Sequence, residues 1–306
     1  MNEASELHMV TGAFGYTGRY IVQLLLARGK KVATITGHPN TEGPLRQGIT
    51  VLPFNFDNYD ELRGSLAGVT TLYNTYWVRF PKGPMTYEKA VENTEKLIKA
   101  AEEAGVRRLV HISITNASEN SPLPYFRGKG MLEKLIFQSK LPYVILRPTV
   151  IFGPEDILIN NIAWLLRRFP LFTMPGSGEY RLQPVFVEDL AQLAVNTAQE
   201  DGNIILDVVG PETYTFDGLV RLIADKIGSR ARILHVSPGL ALFLGSLLGY
   251  IVKDVMITED EIKGLMAGLL VSDGIPTTRT RLSEWLDLNA DRLGVAYASE
   301  VRRHYQ

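Results

Sequence analysis

The stretch Met9-Val10-Thr11-Gly12-Ala13-Phe14-Gly15-Tyr16-Thr17-Gly18-Arg19-Tyr20-Ile21 reads as a strand that runs into a glycine turn and leaves it as a helix. Glycines stand at 12, 15 and 18. They place three residues without a β-carbon where the chain turns sharply, where an anion approaches the backbone and where the helix packs close to its strand. N–H groups at the start of the helix then face the anion. The spacing is GxxGxxG, not the commoner GxGxxG, and any tight strand-to-helix corner favours glycine, so the surroundings must carry the reading. Residues 7–10 are strand-like, 21–28 form an apolar helix, Gly29 suits the position after a helix C-terminus, and 31–36 are a β-branched second strand. The βαβ frame is complete, and the turn is read as a nucleotide site. Its cofactor-binding residues are Gly12, Phe14, Gly15, Tyr16, Thr17, Gly18 and Arg19.

Composition closes off several classes. A chain of 306 residues, 45% hydrophobic and 21% charged, buries a large core as one large domain or two smaller ones. A net charge of −1 gives no electrostatic reason to expect nucleic acid. There is no cysteine, which removes disulfides, thiolate metal sites and cysteine nucleophiles together. The five histidines, at 8, 38, 111, 235 and 304, lack ligand spacing, so no metal is expected. The polar, acidic start is not a signal peptide, and a cytoplasmic protein is expected.

The residue that holds an adenosine ribose belongs near the end of the second strand. Here that segment is Thr34-Ile35-Thr36-Gly37-His38-Pro39-Asn40, without a carboxylate. An acid there would accept from the ribose 2′-hydroxyl and repel a 2′-phosphate. Its absence, with Arg19 and His38 nearby, tilts the choice to NADP over NAD, with Thr36 and His38 as further cofactor contacts. Residues 48–56 read as a third strand, 59–66 as a short helix and 69–76 as a fourth strand. Asp57 either meets the adenine amino group or caps the following helix. The loop Thr75-Tyr76-Trp77-Val78-Arg79-Phe80-Pro81 leaves the strand edge where ligands sit in an open parallel sheet, so Trp77 and Arg79 are either a substrate wall or packing.

Residues 87–104 are strongly helical with Gly105 as the stop, and 108–114 are a fifth strand that ends in His111-Ile112-Ser113-Ile114-Thr115-Asn116. Twelve residues after Ser113 comes Tyr125-Phe126-Arg127-Gly128-Lys129, opening a helix to about 139. A Tyr and a Lys four apart share a helical face, so the ammonium can sit near the phenol and favour phenolate. YxxxK alone is common; its place after a fifth strand ending in serine, in a chain that began with GxxGxxG, makes it specific.

Gly12/Gly15/Gly18, Asn93, Ser113, Tyr125/Lys129 and the run Leu146-Arg147-Pro148-Thr149-Val150-Ile151-Phe152-Gly153-Pro154 together resemble the short-chain dehydrogenase/reductase superfamily. More narrowly, the chain is similar to its extended or atypical branch, with the nucleoside-sugar epimerase-like proteins and relatives of the 39 kDa NADH:ubiquinone oxidoreductase subunit. The resemblance covers residues 7–210. It implies that Tyr125 donates or accepts the proton, that Lys129 lowers the phenol pKa and holds the nicotinamide ribose, that Ser113 polarises the reacting carbonyl, and that Asn93 keeps a relay water. The Ser-to-Tyr interval is short for a sugar epimerase, and Thr115 could replace Ser113. Pro148 would pass under the nicotinamide and present backbone to its carboxamide. Helices 87–104 and 125–139 could form the dimer contact that the resemblance suggests, so the chain is a monomer or a homodimer.

Beyond 154 the βαβ rhythm breaks. Residues 156–169 form an apolar helix, 184–190 return as strand into helix, 258–270 form another apolar helix, and 281–304 form a terminal helix pair anchored by Trp285 and Tyr297. Residues 236–252 carry no charge. Three readings stand, in this order: a helix buried under the substrate pocket, an interfacial helix touching lipid as a peripheral membrane contact, and a membrane span, for which the length is borderline. The first two favour an apolar substrate. The expected fold is α/β, a Rossmann-type doubly wound parallel sheet with a smaller, mainly helical C-terminal substrate region. Its NAD(P) domain is 1–155 with 184–208 returning to it, and its substrate region is 156–183 with 209–306. The expected function is NAD(P)-dependent oxidoreduction, or epimerisation through a transient ketone, on a small apolar substrate. The rival is a non-catalytic dinucleotide-binding redox sensor or a membrane-associated assembly protein.

Overall fold

The computed structural model of the chain describes residues 6–301. β1 (Leu7–Thr11) leads through the glycine turn into α1 (Tyr16–Ala27). There follow β2 (Lys31–Thr36), a 3-10 turn at Pro44–Gly48, β3 (Thr50–Pro53), α2 (Tyr59–Ser65), β4 (Val69–Asn74), α3 (Tyr87–Glu103), β5 (Arg108–Ile112), α4 (Pro124–Gln138) and β6 (Tyr143–Pro148). The chain goes on through β7 (Val150–Phe152), α5 (Leu158–Arg168), β8 (Leu171–Pro175), β9 (Arg181–Leu182), β10 (Pro184–Phe186), α6 (Val187–Thr197) and β11 (Ile204–Val208). It ends with β12 (Tyr214–Thr215), α7 (Phe216–Lys226), β13 (Arg232–Val236), α8 (Pro238–Val252), α9 (Glu259–Met266) and α10 (Leu282–Asn289). Two compact units result: one takes the chain up to Pro148 together with Glu188–Asp207, the other Thr149–Val187 together with the chain from Val208 on.

The first unit is built on a seven-stranded sheet in the order β11-β6-β5-β4-β1-β2-β3. The pairs from β3 across to β6 run parallel. Winding reverses between β1 and β4, and that reversal is where ligands bind in such sheets. Both faces of the sheet are covered: β5 is buried at every position and β2 at all but its first. Met9, Ile35, Leu72, Leu109 and Ile145 from the sheet pack with Leu62, Leu97 and Ile136 from the helices. In α3 the buried positions 87, 90, 91, 94, 97, 98 and 101 follow the helical period, with Asn93 and Ala100 buried beside them, and the Thr86 side chain caps the start by accepting from Lys89 N at 3.1 Å. This is the Rossmann-type α/β fold that the alternation of strands and helices led one to expect.

The second unit holds short strand pairs, β7 with β10 and β8 with β13 parallel, β9 with β12 antiparallel. Its core gathers Phe152, Ile159 and Leu166 with Leu219, Ile223, Trp285 and Leu286. Asp156 starts α5 by accepting from the N–H groups of Leu158 at 3.1 Å and Ile159 at 2.5 Å. Tyr297 packs edge-on against Trp164 at 5.2 Å and donates to Asp254 at 2.9 Å. The first helix of the expected terminal pair is α10; the end of the second, with His304, lies outside the described residues.

One expectation is corrected here. The charge-free run 236–252 is a helix, but not a buried one: only Ala241 and Gly249 are buried in α8. A helix apolar all round has no polar face to show which side turns inward, and here the small side goes in. Among the described residues no helix is long and apolar enough to cross a membrane.

At the glycine turn, a β-carbon on residue 18 would stand 2.4 Å from the Gly12 carbonyl oxygen and 3.2 Å from Thr75 Oγ1. The oxygen belongs to backbone and cannot swing aside. Gly18→Ala is therefore expected to cost about 1–3 kcal/mol, the usual scale of overpacking. A thermal melt that matches the parent chain would show that α1 can slide on β1 without loss.

Candidate dinucleotide site

The turn is defined by short backbone contacts. Gly12 takes φ +64, a left-handed value that glycine adopts without strain, and Gly15 N donates to its carbonyl at 2.8 Å. Gly15 opens α1 without a side-chain cap, and the first turn of α1 contains no acid. α1 thus begins five residues earlier than the apolar pattern alone suggested, directly at the turn, and Tyr16, Thr17, Gly18 and Arg19 form its first turn. An uncapped, acid-free helix start at the winding reversal fits a diphosphate. The Arg19 guanidinium folds back over the turn and donates to the Phe14 carbonyl at 3.4 Å, while Tyr16 and Tyr20 meet edge to face at 6.0 Å.

Beneath the turn a polar ladder crosses three strand ends. The Thr11 hydroxyl donates to Asn74 Oδ1 at 3.0 Å and accepts from Thr75 N at 2.8 Å and Tyr76 N at 3.0 Å. Thr75 Oγ1 returns a hydrogen bond to the Thr11 carbonyl at 2.6 Å. With Asn74 Oδ1 taken as acceptor, its amide nitrogen donates to His111 Nδ1 at 3.1 Å. The imidazole proton is thereby assigned to Nε2, which is buried without a partner among the described residues. Burial, with the Lys129 charge adding to it, holds His111 neutral, well below the usual histidine range.

At the end of β2, Thr36 is buried and its hydroxyl accepts from His38 N at 3.1 Å, with the His38 side chain exposed. Arg46, in the 3-10 turn, donates to the Pro39 carbonyl and so joins His38 on the same loop. The sequence reading passed over it; Pro44, which starts that turn, was the available signal. Asp57 is exposed, and the cap of α2 is its neighbour Asn58, whose side chain accepts from Glu61 N at 3.3 Å. The capping alternative for Asp57 is thus corrected by one residue.

The face of α4 carries the remaining candidates. Lys129 Nζ is buried and donates to the Ile112 carbonyl at the end of β5, at 2.8 Å. It lies 4.8 Å from the centre of the Trp77 ring. Burial pushes this ammonium from the ordinary 10.5 down to about 7, against the raising effect of Glu133. Ser113 Oγ donates to Glu133 Oε1 at 2.5 Å, and Arg147 grips the same carboxylate through Nε at 2.9 Å and Nη2 at 2.5 Å. The structure therefore turns the Ser113 hydroxyl into an ionic network inside α4 that the sequence reading missed. The signal was there: Glu133 lies one further helical turn beyond Lys129, at the same spacing of four.

Tyr125, half-buried, sits in an aromatic group. Trp77 meets it edge-on at 5.8 Å and Tyr87 at 6.0 Å, and Trp77 and Tyr87 stack on each other at 5.8 Å. A β-carbon on Gly128 would stand 2.6 Å from the indole, so the missing side chain is what lets Trp77 lie against α4. Trp77 Nε1 is buried without a partner among the described residues. Asn93 donates to the Tyr76 hydroxyl at 3.0 Å, and its Oδ1 is a further buried orphan. Arg79 leans on Phe80, its carbonyl accepting from Tyr87 Oη at 2.8 Å. Thr115 is buried and donates its N–H to the Pro148 carbonyl at 3.0 Å. The strand ends thus bring Lys129, Tyr125, Trp77 and Asn93 into one neighbourhood, and divert Ser113 from it.

Residues 12–156 match the family described as NAD(P)H-binding. The chain is 27% identical over 286 residues to NADH dehydrogenase [ubiquinone] 1 alpha subcomplex subunit 9 of Arabidopsis thaliana, covering 86% of this chain and 70% of that protein. It is 25% identical over 256 residues to the photosystem II assembly factor Ycf39 of Guillardia theta, covering 82% and 80%. Among solved structures, an NADPH-dependent quinone oxidoreductase of Escherichia coli complexed with NADPH superposes with a TM-score of 0.73 at 22% identity, covering 92% of this chain and 99% of that one. Residues 12–156 thus carry an NAD(P)H-binding domain, and with its glycine turn, sheet order and these relatives the chain is similar to the short-chain dehydrogenase/reductase-like proteins, on the atypical side near the 39 kDa subunit.

Proposed function

We propose that the chain is an NADP-linked oxidoreductase acting on a small apolar carbonyl or hydroxyl compound, with Tyr125 moving the proton. One observation carries the reading: a lysine is buried at the carboxyl end of β5, one turn after Tyr125, hydrogen-bonded to a carbonyl. Burying an ammonium is costly, and groups kept at such cost cluster at functional sites. The cofactor would rest its diphosphate on the turn from Gly12 to Gly18, with Arg19, His38 and Arg46 gathered on the side of a 2′-phosphate. When bound, its nicotinamide supplies or accepts the hydride. Lys129, poised near neutrality, holds the phenol of Tyr125 towards phenolate, and Asn93 Oδ1 and His111 Nε2 offer buried polar atoms to a proton relay. Trp77, Tyr87 and Tyr125 supply an apolar aromatic wall that excludes water and suits an apolar substrate over a nucleotide sugar. The Ser113 hydroxyl is held by Glu133, and Thr115, whose Oγ1 accepts from Asn116 Nδ2 at 3.5 Å, is the alternative hydroxyl for polarising the carbonyl.

A second reading is favoured by one specific observation. The indole of Trp77 covers Lys129, and Ser113 serves Glu133, as in a protein that keeps the dinucleotide fold for binding alone. Relatives named as a respiratory subunit and as an assembly factor point the same way.

Tyr125→Phe, set beside the parent chain, separates the two. The oxidoreductase reading expects NADPH affinity to survive while turnover falls at least about 100-fold, the usual scale of acid–base catalysis; unchanged turnover would take the proton-transfer role from Tyr125, and NADPH binding without turnover in the parent chain would leave only the binding reading. Fluorescence titration with NADPH and NADH in parallel is expected to show tighter NADPH binding that Arg19→Ala removes, and equal affinities would reduce Arg19 and His38 to surface residues. A third test reads Lys129 itself. Because its pKa is lowered on folding, the folded chain bears the cost of a buried charge below pH 7 and loses that cost as pH rises towards 10.5. Lys129→Met should therefore melt higher than the parent at pH 6–7, with the difference shrinking steadily as pH climbs to about 10. A difference independent of pH would mean that Lys129 titrates as an ordinary lysine.

A further inference from the structure

Helix α8 is packed the wrong way round for a helix that ends at water. Three of its small residues, Ala241, Gly245 and Gly249, go inward. A β-carbon on Gly245 would meet Ile257 Cγ2 at 3.0 Å, and one on Gly249 would meet the Asp254 carbonyl oxygen at 2.6 Å, so the helix lies against the chain on its bare side. Its large residues go outward: Phe243 is 64% exposed, Ile251 69% and Tyr250 86%, with Leu240 and Leu247 exposed between them. Positions 240, 243, 247, 250 and 251 fall on one face of a helix, so these side chains form one continuous apolar ridge.

The stretch of chain that carries the ridge holds charges of one sign. From Lys226 to Lys253 the chain contains no acid, while Arg230, Arg232 and Lys253 are exposed and form no ion pair among the described residues. The arginines precede the helix and Lys253 ends it, in a left-handed cap with φ 56. The first acid beyond, Asp254, is taken up internally by the N–H groups of Val255, Glu300 and Val301 and by the Tyr297 hydroxyl. An uncharged apolar ridge that ends in Lys253, on an acid-free stretch that also holds Arg230 and Arg232, is complementary to a surface that is apolar within and anionic at its rim.

We propose that α8 is a membrane-interface helix that lies flat on a bilayer bearing anionic headgroups. Leu240, Phe243, Leu247 and Ile251 enter the acyl boundary, Tyr250 sits at headgroup level, and Arg230, Arg232 and Lys253 reach lipid phosphates. Fifteen residues at about 1.5 Å each give a helix shorter than the roughly 30 Å hydrocarbon core, so α8 lies on the bilayer and does not span it. The proposal does not rest on the dinucleotide chemistry.

The test is co-sedimentation of the full chain with vesicles of phosphatidylcholine alone and of equimolar phosphatidylcholine and phosphatidylglycerol. Binding to the anionic vesicles is expected, at least about tenfold tighter than to the neutral ones and weakened by added salt. Phe243→Ser with Leu247→Ser should reduce it at least about tenfold while NADPH binding, the control for folding, stays as in the parent chain. In parallel, Tyr250→Trp should shift its emission to the blue on adding anionic vesicles. Failure to bind either vesicle, or binding that the double substitution leaves intact, overturns the proposal. So does a dimer in solution that the double substitution dissociates without any vesicle binding, which would give the ridge to a second copy of the chain.

Discussion

The site rests on the approach of two backbones. α1 can start where it does only because Gly18 brings no β-carbon against the Gly12 carbonyl, and that carbonyl is fixed because Gly15 N and the left-handed turn hold it. The Thr11 side chain sets the other half of the corner, since its single hydroxyl holds Asn74 and the N–H groups of Thr75 and Tyr76. β1 and β4 are thereby locked at their carboxyl ends, where the winding reverses. The orientation of Asn74 follows, and with it the tautomer of His111. A constraint on main-chain distance thus passes through one hydroxyl and one amide to the protonation of an imidazole two strands away.

The second axis of the site is the face of α4. Tyr125, Lys129 and Glu133 stand four residues apart, yet their surroundings separate their roles. Glu133 has a bidentate arginine and a serine hydroxyl, which satisfy a buried carboxylate. Lys129 has a carbonyl and an aromatic face, which solvate an ammonium poorly and bring its pKa to about 7. Glu133 acts on Lys129 only through its field, which raises the ammonium's pKa less than burial lowers it. Gly128 completes the arrangement, because any side chain there would push the indole off Lys129 and hydrate it.

The strand-to-helix corner was legible because it demands residue types that little else demands: glycine at 18 answers a clash that any β-carbon creates, and glycine at 12 a left-handed backbone. The sheet followed from buried strands between helical periods. Ser113 shows where legibility ended. Its place after β5 was right, but a hydroxyl can donate in several directions, and the choice was made by Glu133 and Arg147, twenty and thirty-four residues further along the chain. Asp57 and Asn58 differ in the same way, since two neighbouring capping residues cannot be ranked until Asn55, at φ 50, sets the turn that precedes them. Arg46 was missed because its link to the cofactor loop is a contact with the Pro39 carbonyl, a partner that carries no side-chain signature.

α8 shows a further limit, that of hydropathy itself. Periodicity finds the inward face of a helix only when the outward face is polar. In 236–252 nothing is polar enough to mark it, and bulk points the other way: the small residues Ala241, Gly245 and Gly249, four apart, are the ones that touch the fold. In a water-facing helix such a stripe of small residues would be the wasted face, since it buries little area per turn. Its use as the packing face makes sense when the large side chains have another apolar phase to enter, and the acid-free span that brackets them then acquires a purpose. Burial on folding and burial on a bilayer would share one helix, each taking the face whose side chains suit it: close backbone approach within the protein, large flexible groups towards lipid.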